Sequence, residues 1–133
     1  LADDAVNLPA GHVYTQHFCI VAQAAMVERN RPRLEKALRA LLRAQRFIAQ
    51  APAQAQALLA ANLKVTPAVA QRLMAEQDYR LTLHASLPTT MLSQIRWRLA
   101  QDVKPGEPPP ALPRLIDASL LQSLAPGEVT LSR

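Results

Sequence analysis

Two histidines and a cysteine near the start of the sequence are the residues whose types could bind a metal ion. His12, His17 and Cys19 lie close together along the chain. Zinc sites usually need four ligands at recognised spacings, and this trio matches none of the common patterns. On a strand, His17 and Cys19 would face one side, whereas His12 precedes the strand. The sequence favours ordinary polar side chains here, and we expect no metal and no other cofactor.

A row of cations recurs at helical spacing between residues 30 and 50. Such a row could track a phosphate backbone, but it is more typical of the solvated face of a helix. Glu35 stands four residues before Arg39, which is the spacing of an intrahelical ion pair and supports the solvated interpretation. The members of the row are Lys36, Arg39, Arg43 and Arg46.

Residues 52–77 resemble two helices joined by a short turn, as in a helix-turn-helix. The second helix would then lie in the major groove of DNA. It offers only Arg72 as a base-reading residue, and Glu76 and Asp78 near its end would repel phosphates. A helical DNA-binding or regulatory module is the alternative function, while the leading interpretation below expects no nucleic acid.

Catalytic groupings are missing from the sequence. It shows no Ser/His/Asp set, no paired acidic site and no glycine-rich phosphate loop. Trp97, the single tryptophan, falls opposite the apolar stripe of its predicted helix, where it could stack on a ligand or pack against a second surface. We therefore expect no enzymatic activity and assign no catalytic residue.

Composition narrows the class of protein without naming a function. The 133 residues suffice for one domain, and the abundance of alanine and leucine favours helices. A formal net charge of +5 permits nucleic acid, anionic lipid or an acidic partner and selects none. One cysteine allows no internal disulfide. No apolar run approaches the ~20 residues of a membrane span, and we expect any export signal to have been removed or to lie upstream.

The chemistry-bearing residues near the start belong to a predicted strand. Val13 to Ala22 is rich in the β-branched and aromatic residues that fit a pleated surface, with apolar positions on both faces. Ala5 to Leu8 is its one candidate neighbour. We therefore divide the chain into an extended segment with this strand (1–29), a helical array (30–103) and a proline-rich tail with a short C-terminal helix (104–133).

The array begins with a long amphipathic helix. Asn30 is the predicted N-cap and Pro32 lies in the first turn, where helices accept proline. The helix should run to about Gln50 and end before Pro52. Its inward face is predicted to consist of Leu34, Leu38, Leu41, Leu42, Gln45 and Ile48.

Prolines and capping residues predict the boundaries of the later helices. We predict a second helix from Pro52 to about Asn62, a third opened by Thr66 and Pro67, and a short extended link at Arg80–His84. Two more follow: one is capped by Ser86 and reaches about Gln101, and the other runs from Leu115 to Leu124 with Asp117 in its first turn. The inward positions are expected to be Val69, Leu73 and Met74 in the third helix and Leu87, Met91, Leu92, Ile95 and Leu99 in the fourth.

Matches to a known family run almost end to end: Leu1–Leu8, Tyr14–Thr15, Phe18, Val21–Ala22, Asn30–Pro32, Leu38–Leu41, Ala44, Phe47–Ile48, Pro52, Ala55–Gln56, Tyr79–Leu83, Arg96–Trp97, Leu115–Asp117, Leu120 and Pro126–Arg133. In order and spacing these segments resemble the C-terminal part of periplasmic substrate-binding proteins of ABC importers. The group resembled is the nitrate/sulfonate/taurine group, which is related to binders of pyrimidine precursors.

The resemblance implies a mostly α chain with a short N-terminal β segment, as a fragment of a bilobed type II α/β fold. Such a protein closes on a small anionic or heterocyclic solute in the periplasm, in some cases anchored to the membrane, and delivers it to an inner-membrane permease. The predicted strand would be the returning hinge strand, and Tyr14 and Thr15 are the ligand-binding candidates. Because the N-terminal lobe is not in this sequence, we expect either that lobe or a second copy of the chain as a partner.

Overall fold

The computed structural model describes residues 16–101, 111 and 115–131, and most of these residues are helical. Within them the extended structure amounts to one isolated bridge. The mostly α part of the expected fold class is confirmed, whereas a type II α/β fold is not seen in the described residues. The helices are α1 (Ala24–Arg29), α2 (Arg31–Gln50), α3 (Pro52–Leu63), α4 (Pro67–Ala75), α5 (Ser86–Gln101) and α6 (Ser119–Leu124), followed by a short 3-10 turn at Pro126–Glu128.

The prediction of a strand at Val13–Ala22 is wrong for residues 16–22, which have no regular structure; residues 13–15 lie outside the described part. Helix α1 then occupies residues that were expected to be extended. Strand-forming residues become a strand only where a neighbouring ladder and burial favour it. Among the described residues nothing pairs with 16–22, and the Phe18 side chain is 77% exposed.

Helix α2 follows the sequence prediction closely. It runs from Arg31 to Gln50 with Pro32 in its first turn, where the missing N–H has no partner to lose. Asn30 is the N-cap residue, as predicted, although its side chain makes no capping bond. Asn30 lies at the junction of two helices, and its own N–H closes α1 on the Met26 carbonyl. The predicted inward face is half-buried, with the exception of Leu41, which is 43% exposed.

Helices α3 and α4 pack against each other, and each buries one alanine. Ala55 on α3 is 8% exposed and Ala70 on α4 is fully buried. Lys64 ends α3 in the left-handed region at φ 54°, a conformation that favours glycine. Thr66 caps α4 as predicted, since its Oγ1 accepts the Val69 N–H at 3.4 Å.

The C-terminal part of the chain packs back on the start of the helical array. Helix α6 contacts α2 and buries Leu120 and Leu121, each 7% exposed. It begins at Ser119 rather than Leu115, because the Asp117 carboxylate accepts the Ser119 N–H at 2.8 Å and fixes a turn before the helix. The half-buried stripe of α5 is as predicted, whereas Ser86 is its first helical residue, with Oγ 3.0 Å from His84 Nδ1.

One parallel bridge joins the link after α4 to the segment after α6. The Leu83 N–H donates to the Glu128 carbonyl at 2.8 Å, and the Thr130 N–H donates to the Leu83 carbonyl at 3.0 Å. The predicted extended link at Arg80–His84 is therefore present as a single paired residue. The residues from Asp117 to Leu131, named the C-terminal strap below, run from the start of α2 to this bridge.

Candidate functional site

The predicted ligand residues and metal candidates do not form a site in the described part of the chain. Tyr14 and Thr15, like His12, lie outside the described residues. His17 is half-buried and Cys19 is exposed. Within residues 16–101 and 115–131, no three His, Cys, Asp or Glu side chains come together in a way that could hold a metal ion.

The side-chain amide of Gln45 joins three distant segments. Its Oε1 accepts the Leu81 N–H at 2.8 Å, and its Nε2 donates to Glu128 Oε1 at 3.3 Å. All three residues are half-buried. The helical pattern placed Gln45 on the inward face among leucines but gave no sign of its partners, which lie 36 and 83 residues away. We name this contact the Gln45 junction.

A second polar contact fastens the other end of the C-terminal strap. Nη1 and Nη2 of Arg31 each lie 3.2 Å from Ser119 Oγ. The hydrogen bonds from the Ser119 hydroxyl and N–H hold the pKa of Asp117 below its usual value, and the Arg31 charge acts in the same direction against partial desolvation. The start of α2 and the start of α6 are thereby joined through ionised groups.

This contact predicts acid sensitivity. The Asp117 pKa is lower in the folded chain than its value of about 3.9 in unfolded chains, so its stabilisation is present above about pH 4 and is lost as pH falls through the folded pKa. Asp117→Asn should lower the unfolding free energy at neutral pH and flatten its decline in acid, as measured by urea titration at about pH 7, 4 and 2.5.

Asp78→Asn serves as the matched control. The pKa of Asp78 is also lowered, but mainly by hydrogen bonds from Arg80, two residues away on the exposed surface. Such a local surface pair contributes little to stability, so its removal should leave the pH profile nearly unchanged. Parallel profiles for wild type and Asp117→Asn would show that the Asp117 contact is not formed in solution.

The predicted cationic row lies on the exposed side of α2. Arg39 pairs with Glu35 at 2.7 Å, as the sequence spacing indicated, and Lys36, Arg43 and Arg46 are exposed. Part of this row borders an open groove of about 650 Å³. The sequence predicted the cations but not the groove, whose lining consists of Ala40, Arg43, Ala44, Arg46, Phe47 and Gln50.

Apolar side chains are exposed over much of the described surface. Only four apolar residues are buried there, whereas Phe18, Ile20 and Val21 are 77%, 61% and 86% exposed, and Trp97 is 64% exposed. We name Phe18–Val21 the apolar segment. A concentration of large apolar groups in one unpaired stretch marks a surface that binds another surface. In the described residues no helix is both long and apolar enough to cross a membrane.

Comparison with family models, curated proteins and solved structures finds no match to this chain. The family resemblance therefore depends on the chain's own residues.

Proposed function

We propose that this chain is the C-terminal portion of the solute-binding component of an ABC importer. The observation that supports this most directly is the meeting of two matching segments: Leu83, in Tyr79–Leu83, forms a bridge with Val129, in Pro126–Arg133. The component works in the periplasm and delivers a small anionic or heterocyclic solute to a permease in the inner membrane.

The exposed apolar surface is expected if the chain forms one wall of the solute cleft of a larger protein. A solute cleft needs two walls that bury most of the ligand, and the groove on α2 is open and formed by one helix. The apolar segment lies immediately before α1, and the first lobe would cover its exposed side chains. Capture is then a closing of two lobes around the solute, without a chemical step.

Solute binding by the full gene product tests the proposal. Its melting curve should be measured with taurine, nitrate, bicarbonate and a pyrimidine, each in excess. A solute at 100 times its Kd stabilises the folded protein by about 2.7 kcal/mol, and this shift should be absent for residues 1–133 alone. If none of the four solutes stabilises the full gene product, an importer component of this group is ruled out.

The α3–α4 pair favours the alternative, a DNA-binding or regulatory module. Two short helices pack closely through Ala55 and Ala70, and Arg72 is exposed on the second. If the chain is an importer component, its binding to duplex DNA should be weak, salt-sensitive and independent of base sequence. A footprint on a defined duplex at physiological salt that is lost in Arg72→Ala would instead establish the alternative.

The apolar segment predicts self-association when its partner lobe is missing. Light scattering over a concentration series should show residues 1–133 associating, because an unpaired apolar stretch pairs with another chain. Phe18→Lys should reduce this association. Leu58→Lys, at a 55% exposed position on α3, is the matched control and should have less effect. A chain that remains monomeric at high concentration, melts cooperatively and is indifferent to Phe18→Lys would be a self-sufficient domain.

A further inference from the structure

The exposed face of α2 carries a positive charge that the other described residues leave largely uncompensated. The helix contains six cations and one carboxylate, Glu35, which is paired with Arg39. Within the described residues the only other ion pair is Arg80–Asp78, on a different segment. Lys36, Arg43 and Arg46 thus lie exposed without an acidic partner in the described part of the chain. The positive potential of this face remains available to another molecule.

The shape of this face combines charge with an apolar floor. Ala40 and Ala44 lie one turn apart and leave the backbone open to close approach, and Phe47, 37% exposed, adds an aromatic side chain to the lining. Arg43 and Arg46 stand along one side. The lined stretch from residue 40 to residue 50 measures about 15 Å along the helix axis. That length equals roughly three turns of a second helix.

We infer that this groove binds an acidic amphipathic helix of a partner protein. The apolar stripe of such a helix covers Ala40, Ala44 and Phe47, and carboxylates spaced by three or four residues reach Arg43 and Arg46. A nucleic acid fits less well, because the alanines would desolvate its charged phosphates without offering them a hydrogen-bond partner. A second copy docked through the same face would bring like charges together.

A synthetic peptide provides the probe. We choose a fluorescein-labelled 15-residue helix with leucines every three or four residues and glutamates beside them, and a second peptide of equal composition in scrambled order. Fluorescence polarisation with the 133-residue chain at physiological salt should show binding of the ordered peptide and much weaker binding of the scrambled one. Equal binding of both peptides would contradict the inference, since it would show attraction by net charge alone.

Substitutions locate the binding site. Arg43→Glu with Arg46→Glu should weaken binding by about tenfold, because two surface ion pairs become repulsions. Arg72→Glu makes the same kind of charge change on the exposed surface of α4 and should have little effect. Circular dichroism of each variant checks that the helices are intact. An equal loss in Arg72→Glu would overturn the assignment of this groove.

Ala44→Lys separates docking from simple electrostatic attraction. Ala44 is exposed, so the variant should fold, and it adds a cation while filling the groove floor. Docking in the groove predicts weaker peptide binding, whereas electrostatic attraction predicts tighter binding. Tighter binding would overturn the inference, and so would a duplex DNA that binds more strongly than the peptide. A dimer in sedimentation that is lost in the Arg43→Glu, Arg46→Glu variant would overturn it in favour of a second copy.

Discussion

Ala70→Leu should lower the unfolding free energy by about 3 kcal/mol, which is the upper end of the usual cost of forcing extra methylenes into a packed interior. Ala70 is the one described residue with no exposed surface, and it lies on α4, which contacts α3. A leucine there has no free space, so the surrounding elements must shift to accommodate it. The expected result is a large fall in the urea midpoint together with loss of helical circular dichroism.

Ala68→Leu is the matched control for this substitution. It makes the same chemical change two residues away on α4, at an exposed position. Leucine and alanine differ little in helix propensity, so its midpoint should remain near that of wild type. If Ala70→Leu and Ala68→Leu melt alike, the close packing of α3 on α4 does not exist in solution.

Gln45→Leu is the second substitution with a large expected effect. It leaves the Leu81 N–H and the Glu128 carboxylate without the amide that satisfies both. A typical hydrogen bond contributes about 0.5–1.5 kcal/mol net to stability, so loss of the two bonds should cost about 1–3 kcal/mol. Hydrogen exchange should also accelerate at the N–H groups of Leu81, Leu83 and Thr130, because the bridge loses its anchor to α2.

Gln50→Leu provides the comparison on the same helix. Gln50 is exposed and borders the open groove, so its replacement should change the unfolding free energy by less than about 0.5 kcal/mol. If amide hydrogen exchange at Leu83 and Thr130 is as slow in Gln45→Leu as in wild type, the bridge is independent of the Gln45 junction. The two variants thus separate a helix-wide effect from the loss of one contact.

The sequence predicts most of the helical array because its signals are local. Prolines in the first turns of α2, α3 and α4, and the Thr66 cap, set boundaries within a few residues of those observed. The strand at Val13–Ala22 was predicted from residue types alone, and residue types do not say whether a neighbouring strand is present. Helix α1, with six residues, is too short to show a periodic pattern.

The candidate site also has features that the sequence predicts and features that it does not. The Lys36–Arg46 row was evident, since charges at helical spacing define a face without reference to other elements. The groove was not, because two alanines and a phenylalanine resemble ordinary core positions in sequence. The partners of Gln45 were beyond prediction for a different reason: contacts between residues 45, 81 and 128 depend on the path of the whole chain.

The C-terminal strap also determines the order in which tertiary contacts can form during synthesis. Contacts among α1, α2, α3 and α4 join neighbours along the chain. The bonds from Arg31 to Ser119, from Gln45 to Glu128, and between Leu83 and residues 128 and 130 all wait for the C-terminal strap. A ribosome adds about 5–20 residues per second, so several seconds separate completion of α4 from arrival of the strap. During that interval α1 to α4 can pack on one another but lack every contact with the C-terminal strap, so the early part of the chain folds before these long-range bonds can form.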